Sequence, residues 1–263
     1  MSGDADLARV GDLFADRTRS RILLSLLDGR ELAAGVLADE AGVSRSTASA
    51  HLSRLVDGGL LVVRSQGRNR WFRLAGPHVG ELVERLAAFA PREESRSLRS
   101  ATRAERLRTA RTCYDHFAGR LGVAIMGSLL EHGYVVGGDG LFHGGDAHGN
   151  AGHAGGDRPA SAGHELDYRL TAPGREFLHR MDIRIPEGSR RPEIRYCIDW
   201  TETRHHLAGA AGSAVRDRFL RAGWAERLPL YRAIRVTPSG SDALEEWFGI
   251  DWAAVSTTAP PRY

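Results

Sequence analysis

The sequence predicts an α+β protein that is mainly helical, carries small β-hairpins and divides into at least two domains. Three observations support this fold class. A helix-turn-helix pattern spans residues 36–54, two strand-like runs follow it between residues 60 and 74, and one pattern of helices and strands occurs twice between residues 113 and 250. At 263 residues, the chain is also longer than one small domain requires.

The pattern at 36–54 has the chemistry of two helices joined by a tight turn. Gly42 supplies the turn, because a left-handed backbone conformation is cheap only without a Cβ. Ser44 is a suitable N-cap for the second helix. In that helix Ala48, Leu52 and Leu55 share one apolar face, which predicts that this face packs on the core.

The opposite face of the second helix is polar, with short hydroxyl side chains and an arginine at its start. Such a helix end fits a DNA major groove, where these groups reach base edges and phosphates. The alternative is an ordinary amphipathic helical hairpin with a solvated polar face. The predicted DNA contacts of this segment are Ser44, Arg45, Ser46, Thr47, Ser49, His51 and Arg54.

A basic β-hairpin is predicted directly after this helix. Residues 60–64 and 70–74 read as strands around a loop that contains Gly67. Arg64, Arg68 and Arg70 crowd the hairpin, as expected of a wing that contacts phosphates or the minor groove. Residues 16–76 contain ten arginines against six acids, so the basic excess lies where DNA would bind.

These motifs together resemble the ArsR/SmtB family of winged-helix repressors. The resemblance is carried by DRTR at 16–19, SRSTASAHLSRL at 44–55, GGL at 58–60 and RNRWFRL at 68–74, and it covers about residues 5–92. It implies a winged helix-turn-helix domain that binds double-stranded DNA. It also implies a homodimer formed by the first and last helices of that domain, and therefore an inverted-repeat operator.

The metal sites of that family do not carry over to this chain. Metal-sensing members have a cysteine motif before the recognition helix, but residues 31–37 contain no cysteine. The acidic and histidine ligands on the family's last helix are matched only by His78, Glu81 and Glu84. The resemblance therefore implies DNA binding and leaves the effector open.

Charge, hydropathy and cysteine content indicate the compartment in which the protein acts. The net charge is +3, and the acidic, polar N-terminus is unlike a signal peptide. The longest apolar run, near residues 121–125, is far too short for a membrane span. Two cysteines are too few for a secreted disulfide framework. We expect a cytoplasmic protein without a membrane partner.

The predicted domain order is a DNA-binding and dimerisation domain at 1–92, an Arg-rich helical connector at 93–112 and a sensor region at 113–263. The sensor region contains an internal repeat, with copies at 113–184 and 197–250. Each copy has the order helix, strand, Thr-x-x-Gly, helix, which predicts two similar α+β halves related by a pseudo-two-fold axis. A Gly/His-rich insertion at 137–164 enlarges the first copy and is predicted to be disordered.

The repeat also contains the chain's candidate metal or redox groups. They occur as Cys113-x-Asp115-His116 and as Cys197-x-Asp199 followed by His205 and His206. Thiolate, imidazole and carboxylate together suit zinc or another transition metal, and the two cysteines alternatively suit a reversible disulfide. A third reading is structural, with buried cysteines and capping side chains. These readings stay open at this point, and no cofactor is certain.

The sequence thus predicts a transcriptional regulator, a homodimeric repressor whose operator affinity is modulated through the C-terminal region by a metal, an oxidant or an organic ligand. One alternative is a constitutive DNA-binding protein with a purely structural C-terminal half. Another is an enzyme fused to a DNA-binding domain. The enzyme reading is disfavoured because the chain lacks a G-x-S-x-G elbow and an H-E-x-x-H helix, and no Gly-rich loop lies between a strand and a helix.

Overall fold

The computed structural model describes residues 5–90, 98–143, 166–185, 191–228 and 232–258. The chain forms two compact units, one of Met1–Glu84 with Pro229–Arg232 and one of Arg85–Leu228 with Ala233–Tyr263. Within the described ranges, every helix is too short or too polar to cross a membrane.

The first unit is a winged helix-turn-helix built on a three-stranded antiparallel sheet of order β1-β3-β2. Its elements in chain order are α1 (Leu7–Phe14), α2 (Arg17–Ser25), β1 (Leu32–Ala33), α3 (Ala34–Ala41), α4 (Arg45–Asp57), β2 (Leu61–Gln66), β3 (Asn69–Leu74) and α5 (Pro77–Phe89).

The local chemistry of this unit confirms the sequence prediction. Gly42 ends α3 with a left-handed φ of +73°, and the Ser44 side chain accepts a hydrogen bond from the Thr47 N–H at the start of α4. Ala48, Leu52 and Leu55 are buried on one face of α4. The wing strands extend further than predicted, because Gln66 pairs with Asn69 and only two residues form the turn.

In its described residues, the second unit consists of helices and four two-stranded antiparallel sheets, which pair β4 with β5, β6 with β7, β8 with β9 and β10 with β11. Its elements after α5 are α6 (Leu98–Thr109), β4 (Arg111–Cys113), β5 (His116–Ala118), α7 (Gly119–Glu131), β6 (Val135–Val136), β7 (Arg169–Leu170), α8 (Ala172–Arg180), β8 (Arg195–Ile198), β9 (His205–Ala208), α9 (Gly209–Arg221), β10 (Ala225–Arg227), β11 (Ile234–Val236), α10 (Pro238–Phe248) and α11 (Trp252–Thr257).

One order of elements occurs twice in this unit. A hairpin, a 13-residue helix, a short strand pair and a final helix follow one another in 111–180 and again in 195–248. The hydrogen bonds also recur, since Thr171 caps α8 by accepting from the Gly174 N–H and Thr237 caps α10 by accepting from the Gly240 N–H, both at 3.1 Å. We call residues 111–180 the first half and residues 195–248 the second half.

The predicted disorder of 137–164 is wrong for its first residues. The Gly140 carbonyl accepts a hydrogen bond from the His205 N–H at 3.0 Å, and Leu141 forms an antiparallel bridge with Arg204. Backbone pairing with Arg204 and His205 therefore holds Gly140 and Leu141, which composition alone had grouped with the low-complexity segment. The prediction for 144–164 concerns residues outside the described ranges.

The Arg-rich stretch predicted as a connector is helical from Leu98 onward, as α6. This helix lies within the second unit, where the Leu107 carbonyl accepts a hydrogen bond from Arg111 and Glu105 accepts one from Arg120. From Leu98 onward the stretch is therefore part of the second unit. Its predicted residues 93–97 lie outside the described ranges.

Candidate functional site

The start of α4 forms an exposed polar surface in the first unit. Arg45, Ser46, Thr47 and Ser49 are exposed, and Ser44 caps the helix with its hydroxyl group. A helix N-terminus carries partial positive charge and free N–H groups, which favour contact with phosphate. The short side chains leave this end unobstructed, so it can approach the edges of base pairs.

The predicted basic residues divide by whether they have an acidic partner within the first unit. Arg45, Arg68 and Arg70 are exposed and form no ion pair among the described residues. By contrast, Arg54 pairs with Asp12 at 3.1 Å and Arg64 with Glu31 at 2.7 Å. The first three are therefore the arginines available to phosphates or bases.

His51 and Arg64 are held within the protein more than the sequence suggested. The half-buried His51 lies 3.4 Å from the Asp16 carboxylate. Arg64 donates hydrogen bonds to Glu31, and this interaction lowers the pKa of Glu31. Arg64 therefore connects the wing to the residue before β1, and its charge is partly neutralised before any DNA approaches.

A buried cluster of two cysteines and two histidines lies in the second unit. Its members are Cys113, His116, Cys197 and His206, and one ligand atom from each lies within 4.8 Å of all the others. We call these four residues the Cys/His cluster. Cys113 and His116 are cross-strand partners in β4–β5, and Cys197 and His206 are cross-strand partners in β8–β9. Cross-strand partners project to the same face of a hairpin, so each hairpin contributes one sulfur and one imidazole.

The halves pack reciprocally around this cluster. A Cβ added at Gly122 of α7 would lie 3.3 Å from the Cβ of His206, and one added at Gly212 of α9 would lie 3.1 Å from the Cβ of His116. A Cβ at either position would also overlap a carbonyl oxygen of its own half, that of Phe117 at 2.4 Å for Gly122 and that of Leu207 at 2.6 Å for Gly212, so glycine is needed at both places. The two imidazole rings lie 5.1 Å apart between their centroids.

Asp199 lies beside the cluster in a fully buried ion pair. Its carboxylate accepts hydrogen bonds from Arg111 at 2.8 Å, from the Gly119 N–H at 2.6 Å and from the Thr201 hydroxyl at 2.6 Å. The Arg111 and Asp199 side chains are both 0% exposed. Burial alone would raise the pKa of Asp199, but Arg111 and the other donors hold it well below its usual range.

Asp115 occupies the related place in the first half but lies nearer the surface. It contacts His116 Nδ1 at 3.2 Å and forms a bidentate pair with Arg191. Burial opposes ionisation here too, yet Arg191 and His116 lower the pKa of Asp115. Its side chain is 17% exposed, against 0% for Asp199. The second carboxylate is therefore enclosed by protein and the first is only partly enclosed.

The pKa values of the two cluster histidines shift in opposite directions. Burial lowers the pKa of His116, but Cys113 and Asp115 outweigh it and raise the pKa to about 9. Burial and the charge of His116 lower the pKa of His206 well below its ordinary value. The arrangement therefore favours a charged His116 beside a neutral His206 when only protons are bound.

The remaining predicted site residue, His205, lies apart from the cluster. Successive residues of a strand face opposite sides, and His205 Nδ1 lies 2.8 Å from the Tyr168 hydroxyl instead. The sequence analysis also missed Arg111 and Thr201. A signal for Arg111 was present, because both halves read Arg-x-Cys-x-Asp, with Arg111 in the first and Arg195 in the second.

Comparisons with known proteins agree with the first unit and extend beyond it. The helix-turn-helix domain family matches residues 14–64. YdfF of Bacillus subtilis, described as an uncharacterized HTH-type transcriptional regulator, is 36% identical over 247 residues, which are 93% of this chain and 98% of YdfF. The similarity to YdfF therefore includes the second unit.

Two further proteins are similar to the N-terminal third. The HTH-type transcriptional regulator CmtR of Mycobacterium tuberculosis is 44% identical over 89 residues, which are 32% of this chain and 75% of CmtR. Among solved structures, the homodimeric winged helix-turn-helix DNA-binding domain of Mb0332 from Mycobacterium bovis, a possible ArsR-family regulator, has a TM-score of 0.27 at 36% identity. That match covers 32% of this chain and 83% of the other.

Proposed function

The chain belongs to the HTH-type transcriptional regulators, and we propose that it is a homodimeric repressor whose second unit adjusts its affinity for an inverted-repeat operator. Its N-terminal third is of the ArsR/SmtB winged-helix type. The observation that carries the proposal is the exposed, capped start of α4 beside a wing whose Arg68 and Arg70 lack acidic partners among the described residues. We also propose that the protein acts in the cytoplasm, where it would meet DNA.

Exposed apolar side chains support the proposed dimer. Leu7 and Val10 on α1 are 77% and 43% exposed, and Leu82 and Leu86 on α5 are 37% and 41% exposed. Large apolar groups presented to water on two helices favour burial against a second copy. Two recognition helices in one dimer would read half-sites about one helical turn apart, roughly 34–36 Å.

The specificity test starts from selection of a randomised duplex library by the full-length protein, followed by fluorescence anisotropy on the enriched sequence. We expect an inverted repeat. The double variant Arg45→Ala/Thr47→Ala should lose about 10- to 100-fold of its preference for that sequence over unrelated DNA. Selection that enriches no sequence, or a double variant with unchanged preference, would contradict the proposed recognition surface.

The wing provides a matched pair of arginines. Arg68→Ala should weaken binding to all DNA alike and reduce the salt dependence by about one phosphate contact. Arg64→Ala should change DNA affinity less, because Arg64 already pairs with Glu31. Equal losses in the two variants would show that the Glu31 pair opens when DNA binds.

The oligomer is tested by sedimentation of the chain and of Leu7→Asp/Leu86→Asp. The wild-type protein should sediment as a dimer and the variant as a folded monomer with weakened operator binding. A wild-type monomer that binds the inverted repeat with full affinity would overturn the dimer. Operator affinity that no metal, oxidant or small molecule alters would favour a constitutive DNA-binding protein instead.

A further inference from the structure

The Cys/His cluster leaves buried polar atoms without hydrogen-bond partners. Among the described residues, His116 Nε2 and both ring nitrogens of His206 are buried and accept or donate no hydrogen bond. His116 and His206 are 4% and 1% exposed, and neither cysteine forms a disulfide. Burying a polar atom without a partner is unfavourable, so a group that pairs with these atoms is expected.

Three of the four side chains are buried and Cys197 is half-buried, and their ligand atoms lie close to one another. We propose that Cys113, His116, Cys197 and His206 bind one Zn²⁺ or a similar thiophilic divalent ion in a four-coordinate site. Two sulfurs and two imidazole nitrogens are a ligand set that holds zinc in tetrahedral geometry. The same set disfavours Mg²⁺ and Ca²⁺, which take oxygen ligands.

The aspartates place the imidazoles for this role. Asp115 contacts His116 at Nδ1, and the Asp199 carboxylate lies 3.8 Å from His206 Nδ1. A carboxylate on one ring nitrogen orients the other nitrogen toward a metal. Each half therefore supplies one cysteine, one histidine and a nearby carboxylate, which is in hydrogen-bond contact at His116 and lies 3.8 Å away without a hydrogen bond at His206.

Charge and bond length also fit this assignment. Two thiolates neutralise a divalent ion, so the complex adds no net charge to a buried space. The thiol protons leave to solvent when the ion binds, and the extra ring proton of a charged His116 leaves with them. Metal–ligand bonds of about 2.0–2.3 Å allow four ligand atoms to lie within 4.8 Å of one another, as they do here.

A disulfide between Cys113 and Cys197 is the competing use of the cluster. It would join the two sulfurs but leave both imidazoles without a new partner, whereas an ion engages one nitrogen of each ring as well as both sulfurs. The ion is therefore the reading that uses all four groups. Binding of an ion by the cluster does not depend on the proposed repressor function. Only a role of that ion as the effector would rest on the repressor function.

The first test titrates Co²⁺ into reduced, metal-free, full-length protein that carries no histidine tag, followed by Zn²⁺. We expect one Co²⁺ per chain, with the visible spectrum of tetrahedral cobalt bound by thiolates, and displacement by Zn²⁺. Cys197→Ser and His206→Ala should lose that spectrum. Asp199→Asn should keep it with about 10- to 100-fold weaker affinity.

A matched control removes the histidines of the Gly/His-rich segment. In the variant His143→Asn, His148→Asn, His153→Asn and His164→Asn, the stoichiometry and spectrum should be unchanged. Loss of the signal in this variant, or a cobalt spectrum without thiolate character, would overturn the site.

A second measurement keeps the test decisive if a ligand variant fails to fold. Alkylation of the wild-type thiols, followed by mass spectrometry, should slow at least 10-fold at both Cys113 and Cys197 when Zn²⁺ is bound. Equal alkylation with and without Zn²⁺ would overturn the proposal. Neither measurement contains DNA, so a failed metal site and a failed DNA-binding site give separate results, and Arg45→Ala/Thr47→Ala should still bind the ion.

Discussion

The two halves of the second unit share their elements and differ in how deeply they bury charge. Both hairpins place a cysteine opposite a histidine, and both following carboxylates pair with an arginine. Asp199 and Arg111 are enclosed completely, whereas Asp115 and Arg191 reach solvent. The difference indicates that a repeated motif determines where a charged group lies, whereas the surrounding packing determines how much that group contributes to stability.

The largest expected loss of stability follows from removing Asp199, and it should exceed the loss from removing Asp115. In metal-free protein, Asp199→Ala should lower the free energy of unfolding by about 3–5 kcal/mol, because it leaves the Arg111 guanidinium buried without its counter-charge. Asp115→Ala should cost less, about 1–2 kcal/mol, since solvent can replace the lost partner of Arg191, whose side chain is 37% exposed, and His116 can release its extra proton when Asp115 is absent. Urea denaturation followed by circular dichroism measures both. Equal losses would remove the contrast in burial as an explanation.

Substitution of a closely packed glycine should cause a smaller loss of stability, of similar size in both halves. A Cβ added at Gly174 would overlap the Tyr134 carbonyl oxygen, and one added at Gly240 would overlap that of Trp224. Gly174→Ala and Gly240→Ala should each destabilise the unit by about 1–3 kcal/mol. The control is Gly127→Ala in α7, where a Cβ meets nothing within 4 Å and alanine should stabilise by about 0.5–1 kcal/mol. Stabilisation by all three substitutions would contradict the close approach.

The helix caps should also be equivalent. Thr171→Ala and Thr237→Ala each remove a hydroxyl that accepts from a helix N–H and donates to a carbonyl after the 13-residue helix of its half, that of Gly133 or that of Gly223. Each substitution should cost about 1 kcal/mol, and the corresponding serine variants should retain most of that stability. Thermal unfolding curves compare the four variants. A difference of more than about 1 kcal/mol between the two alanine variants would show that the halves do not use this cap alike.

The smallest effect concerns the insertion found only in the first half. Deletion of residues 149–156, GNAGHAGG, should change the free energy of unfolding by less than about 0.5 kcal/mol, because the sequence predicts a disordered segment there and shortening such a segment alters its closure entropy only slightly. Differential scanning calorimetry of the deleted and full-length chains checks this. A large drop in melting temperature would show that these residues contribute to the packed structure.

Much of the first unit could be predicted because its chemistry is local. The glycine turn, the serine cap, the spacing of Ala48, Leu52 and Leu55 and the hairpin around Gly67 each lie within a few residues of what they determine. The same reasoning failed at Gly140 and Leu141, whose order depends on hydrogen bonds to a strand about 60 residues away.

The site in the second unit divides in the same way. By itself, the sequence identified the two Cys-x-Asp motifs and more candidate histidines than the site uses. His205 and His206 could not be distinguished from the sequence, because only the register of β9 places them on opposite faces of the strand. Only the tertiary structure brought residues 113 and 116 against residues 197 and 206 and enclosed Arg111 with Asp199. The physical reason is the separation along the chain over which each interaction acts. Caps and turns act through neighbours along the chain, whereas a ligand set and a buried ion pair exist only where packing joins distant segments and excludes water.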